Sequence, residues 1–134
     1  MISHWILVLQ NLVIAEPQNA QYHFLLADYL LEDGQADAAA FHFQESITQS
    51  QHPLSVAGLA RVYFVKGQYQ NCLDVLGRLM ESGMEDLNVK LLAARCWIRM
   101  ECWEPACLLY GELLKKHPLF TDEELDMKLA GICP

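Results

Sequence analysis

Apolar positions return along this chain at helical intervals, and the arrangement of those intervals returns as well. Between residues 59 and 79, Leu59, Ala60 and Tyr63 share one helical face, Gly67 and Gln68 interrupt it, and Tyr69, Cys72, Leu76 and Leu79 resume at spacings of three and four. The predicted order is helix, turn, helix. Shifted 33 residues towards the N-terminus, the pattern meets Leu26, Ala27, Leu30, Gly34, Ala39, Phe43 and Ser46. Shifted 34 the other way, it meets Ala93, Ala94, Trp97, Glu101, Trp103, Ala106, Tyr110 and Leu113. Three copies in register predict three helical hairpins.

Each copy carries a small residue in the middle of its first helix (Ala27, Ala60, Ala94) and another early in its second (Ala39, Cys72, Ala106). Antiparallel helices approach closely only where side chains are small, and bulk such as Leu30, Tyr63, Trp97, Phe43, Leu76 and Tyr110 fills the space where the axes diverge. Pro118 ends the third copy. From Pro17 to Pro118 the pattern resembles the tetratricopeptide repeat, a helical hairpin of about 34 residues. The departures are Glu101 in place of a turn glycine, and Ser46 and Leu79 where alanine is usual.

The resemblance implies an all-α chain of stacked antiparallel hairpins, a TPR-like α-solenoid, read as a single domain. Its repeats are expected at residues 19–51, 53–83 and 86–118, with an N-terminal helix over 1–16 and a capping helix over 121–131. The N-terminal stretch fits as half a hairpin, since Trp5, Leu9, Leu12 and Pro17 match the spacing of Ala106, Tyr110, Leu113 and Pro118. No basic residue precedes its apolar run and Gln10 and Asn11 interrupt it, so neither a signal peptide nor a bilayer span is expected. Its apolar residues Ile2, Trp5, Ile6, Leu9 and Val13 exceed what one neighbouring helix covers, which leaves two expectations: an N-terminal cap whose outer apolar face is tolerated, and self-association as a homodimer.

Local signals refine the element ends. Asn19 is expected to cap the first repeat, Pro53 or Ser55 to open the second, and Gly83 to close the helix before the third. Pro105 sits in a first helical turn, where its missing amide costs nothing. Thr121 and Glu124 form the pattern of a capping box, with Phe120 and Leu125 as a hydrophobic staple. Gly58 lies inside a helix at a cost of about 1 kcal/mol against alanine. Backbone packing or an open surface there must offset it.

Hydrophobic residues make up 53% of the chain and charged ones 19%, which excludes a disordered acidic tail. The net charge of −8 excludes nonspecific binding to phosphate backbones. The five cysteines are an odd number, with Cys72, Cys96 and Cys107 on or beside packed positions, and the five histidines (His4, His23, His42, His52, His117) are scattered singly. No metal site, cofactor or disulfide framework is expected, and the thiols favour the cytoplasm. No phosphate loop, His-Glu-x-x-His or glycine-flanked serine elbow appears, so no enzyme is expected.

What remains is a surface for protein partners. In this repeat family the first helices line a groove that holds an extended peptide or a partner helix. By phase, the resemblance places Gln21, Phe24, Asp28, Leu31 and Glu32 there from the first repeat, and Leu54, Ala57, Arg61, Phe64 and Val65 from the second. The third repeat contributes Asn88, Leu91, Arg95, Ile98 and Arg99. Three of the nine basic residues lie at these phases, so a basic strip gripping partner carboxylates is one expectation, and arginines paired with local carboxylates such as Asp28 are the other. The expected function is a noncatalytic scaffold that binds a partner segment. Its narrower versions are a chaperone of the type III secretion translocator kind and an adaptor region of a larger protein such as an ATPase.

Overall fold

The computed structural model describes residues 1–84 and 86–133. Among these residues there are eight helices and no strand: α1 (Ile2–Ala15), α2 (Ala20–Glu32), α3 (Ala36–Gln49), α4 (Pro53–Val65), α5 (Tyr69–Glu81), α6 (Leu87–Arg99), α7 (Trp103–Lys116) and α8 (Glu123–Leu129). The chain divides into two compact units, Met1–Gly67 and Gln68–Pro134.

In the first unit α2 packs against α1, α3 and α4, and α3 packs against α4. Leu26, Ala27 and Leu30 of α2 meet Ala39 and Phe43 of α3, with Ile6 and Leu9 of α1 and Leu59 and Val62 of α4 completing the core. Ala27 and Ala39 have no exposed surface, as close helix approach requires. Asn19 caps α2 through its side chain, which accepts from the Tyr22 amide at 3.1 Å. His52 caps α4 by accepting from the Leu54 amide at 3.2 Å, and Pro53 takes the first helical position.

The burial of α1 corrects which of its residues are open to solvent. Ile6 and Leu9 are core residues and Ile2 and Val13 pack against them, because α2 covers the stripe on which they recur; Trp5 alone of the five is exposed. The outward apolar residues of α1 are instead Trp5, Leu7 and Ile14.

Gly58 has a packing reason. The Phe43 ring lies against it so closely that a methyl group there would overlap the ring, and Phe43 is fully buried with nowhere to move.

In the second unit α6 packs against α5, α7 and α8, and α7 against α8. Ala94 and Ile98 of α6 join Ala106 and Leu113 of α7 and Leu125 and Leu129 of α8 in one core, with Phe120 packed on it. The capping box is corrected by one residue. Asp122, not Thr121, caps α8 by accepting from the Leu125 amide at 3.0 Å, and Glu124 turns instead to Arg99.

The turn after α6 holds Glu101 at a φ of 58°, in the left-handed region that Gly34 and Gly67 occupy in the corresponding turns. The turn geometry is thus kept without its glycine.

A second correction concerns the thiols. Cys107 of α7 and Cys133 form a disulfide, with Cα atoms 5.4 Å apart. Their separation of 26 residues gives no sign of the pairing; it arises because the chain after α8 returns to α7. Cys72, Cys96 and Cys102 are free. The Cys72 and Cys96 thiols hydrogen-bond to each other, which pushes the first up and the second down in pKa.

Candidate interaction surface

The two units present the expected binding residues differently. In the first unit, α2 and α4 bring Asp28 and Arg61 together at 2.7 Å, both side chains about two-fifths exposed. The Arg61 guanidinium also lies 5.9 Å from the centre of the Phe43 ring. Phe24 meets Phe43 edge-to-face with ring centres 6.0 Å apart, Leu31 packs on the same core, and Val65 stands exposed at the end of α4.

Beside Phe24 a cavity of about 360 Å³ opens between the first turns of α2 and α4 and the end of α3. Phe24 and Leu54 wall it, Ser46 and Ser55 lie at its floor, and Gln21 and His52 stand at its rim. Both serines are buried, at 2% exposure each. Ser46 Oγ donates to the Ala20 carbonyl at 2.9 Å and lies 2.8 Å from Ser55 Oγ.

In the second unit, the α8 segment meets both arginines of α6. Arg95 pairs with Asp122 through its terminal nitrogen, and Arg99 Nε donates to Glu124 Oε2 at 2.9 Å. Burial pushes the Asp122 carboxyl up, yet the Leu125 amide and Arg95 outweigh it and hold it below its usual range. The hydrogen bonds to Glu124 and Tyr69 raise Arg99 further still. Leu91 packs at the margin of the core, and Ile98 is only 4% exposed. Ile98 is therefore corrected from a partner-facing residue to a core residue, because α8 adds Leu125 and Leu129 to the apolar cluster around it.

The structure thus brings Phe24, Asp28, Leu31 and Arg61 together in one unit and Leu91, Arg95, Ile98 and Arg99 in the other. The three arginines do not form a bare basic strip, since each has a carboxylate. Sequence reasoning missed the serine pair at the cavity floor. The signal was present at Ser46, a hydroxyl at a phase of the repeat where alanine is usual, and a buried hydroxyl needs a partner.

The histidines hold another surprise. His23 and His42, expected to stand singly, meet between α2 and α3 with Nδ1 atoms 3.0 Å apart, and His23 Nε2 donates to the Pro17 carbonyl at 2.8 Å. Antiparallel packing makes neighbours of residues 19 apart. Burial and the neighbouring His23 lower the His42 pKa. No helix among the described residues is long and apolar enough to cross a membrane.

By sequence, no protein-family model and no curated protein matches the chain. Solved structures do. MamA superposes with a TM-score of 0.83 at 14% identity, over 97% of this chain and 78% of that one. A tetratricopeptide repeat protein from Parabacteroides merdae gives 0.82 at 12% identity, over 97% and 50%. YrrB, described as a TPR protein with an unusual peptide-binding site, gives 0.74 at 16%, over 92% and 65%. Likeness at such low identity speaks to architecture, and the chain has the all-α, hairpin-repeat fold of the tetratricopeptide repeat proteins.

Proposed function

We propose that this chain is a noncatalytic protein-interaction module and that a partner segment docks on the face of its first unit formed by α2 and α4. The observation that carries this reading is the cavity walled by Phe24 and Leu54, the second of which is about half exposed. An apolar pocket with a few polar groups is where a peptide anchors a side chain. YrrB, a protein of the same fold, is described with a peptide-binding site. Asp28 and Arg61 lie alongside and would take polar groups of the segment, with Leu31 packed beneath.

The location proposed is the cytoplasm, on the free thiols of Cys72, Cys96 and Cys102, against which stands the Cys107–Cys133 bond, of a kind rare there. There the Cys107–Cys133 bond would be open to reduction by small thiols.

Leu54 is about half exposed, so Leu54→Glu leaves the core intact while placing a charge in the pocket wall. Affinity capture followed by mass spectrometry on wild type and Leu54→Glu tests the reading. The expected result is a partner held by wild type and lost by the variant at an unchanged melting temperature. A partner retained by the folded variant would move the site off this face.

A further inference from the structure

The hydrogens of the cavity floor can be assigned one by one. A serine hydroxyl has a single proton. That of Ser46 goes to the Ala20 carbonyl, so the bond between Ser46 Oγ and Ser55 Oγ must use the proton of Ser55. The relay runs from Ser55 to Ser46 to Ala20. It leaves Ser55 Oγ with lone pairs and no proton to offer.

The first turn of α4 supplies no donor either. Pro53 has no amide hydrogen, the Leu54 amide is bound by His52 Nδ1, and the Ser55 amide donates to the His52 carbonyl at 3.0 Å. The remaining side-chain donors of the lining stand at the rim, the exposed Ser50 hydroxyl among them. The Gln21 carboxamide carries two, and His52, whose Nδ1 is an acceptor, carries its ring proton on Nε2. A side chain entering tip-first must therefore bring its own donor to the floor, pass its stem between Phe24 and Leu54, and leave its backbone to the rim.

The surrounding charge selects among donor-tipped side chains. The first unit holds the carboxylates of Glu16, Asp28, Glu32, Asp33, Asp37 and Glu45 against only Arg61 and Lys66. Both cations are already engaged, Arg61 with Asp28 and Lys66 with Asp37 at 2.6 Å. The unit therefore presents a net negative field to an approaching segment.

We propose that this cavity is a lysine subsite: it receives a lysine side chain of a basic partner segment, with the ammonium on Ser55 Oγ and the methylene stem between Phe24 and Leu54. The proposal rests on the interaction-module reading above and specifies its partner chemistry. It also reverses the charge expected of the partner, from acidic to basic.

Two arms test it on the full chain. In the first, the ¹⁵N-labelled protein is titrated with N-acetyl-lysine methylamide and with its norleucine and glutamate counterparts, following backbone amide shifts. The lysine probe should give saturable shifts confined to residues 20–24, 46 and 50–55. Its affinity should exceed that of norleucine by roughly tenfold, as a charge-assisted hydrogen bond allows, and Ser55→Ala should erase the difference. Equal binding of norleucine, tighter binding of glutamate, or shifts elsewhere would overturn the subsite, and these comparisons hold on wild type whether or not the variant folds.

In the second arm, random peptides are selected for binding to wild type. Lysine fixed at one position, with affinity lost in Ser55→Ala, supports the proposal. Selected peptides without lysine that Leu54→Glu rejects would overturn the subsite and leave the interaction module standing. No selected peptide, with the lysine probe still bound, would overturn the module and keep the subsite.

Discussion

Glycine and its absence act in opposite directions at two positions of this chain. At Gly58 alanine would gain about 1 kcal/mol of helix propensity, but its methyl group would overlap the buried Phe43 ring. Overpacking costs about 1 to 3 kcal/mol, so Gly58→Ala should lower the melting temperature. At Glu101 the left-handed φ is strained for any side chain with a Cβ. Glu101→Gly should therefore stabilise by roughly 0.5 to 1 kcal/mol, less than the full strain because glycine also loosens the unfolded chain. Denaturant melts of both variants check the signs. His42 sets a pH dependence of its own. Burial and His23 lower its pKa and Glu45 opposes them, so the folded state binds fewer protons than the unfolded state. Stability is then full above the unfolded value of about 6.5, falls as pH drops through the window below it, and levels off once pH is under the folded pKa. That decrement should be missing in His42→Asn, measured by urea titration across the window.

At the scale of elements, α8 depends most on its surroundings. Seven residues are far too few for an isolated helix to persist in water. Three kinds of contact hold it: burial of Leu125 and Leu129, the pairing of Asp122 and Glu124 with Arg95 and Arg99, and the Cys107–Cys133 bond just beyond it. The exposed part of that pairing contributes little by itself. A disulfide closing a loop of this length contributes about 3.5 kcal/mol in the chain-entropy account. Cys133→Ser should therefore destabilise the second unit by something near that amount, and a reducing thiol should do the same to wild type. The thiol should have no effect on the variant, and an effect there would point to a different reducible bond.

At the scale of the whole molecule, the hairpin repeat divides into two compact units, and the boundary after Gly67 falls inside the second hairpin. Neighbouring repeats stabilise one another through shared interfaces, so the single-domain reading of the sequence predicts one calorimetric unfolding transition. Gly58→Ala in the first unit and Cys133→Ser in the second should each shift that one transition. Two transitions, each moved by only one of these variants, would make the units independent domains.

The sequence by itself determined the elements and their repeat. Helical periodicity, the small residues at Ala27, Ala39, Ala94 and Ala106, the Asn19 cap and the prolines are local signals, and the helices lie where they predict. Only the tertiary structure decided which side chains meet. The Cys107–Cys133 bond, the His23–His42 contact and the Ser46–Ser55 relay join residues distant in sequence or on different helices. Phase places an arginine on a helix face, but whether it stays open to a partner depends on the carboxylate that the next helix brings beside it, as Asp28, Asp122 and Glu124 show. Helix period follows from the backbone and is written locally; contacts follow from how helices pack, and one helix carries only its half of each.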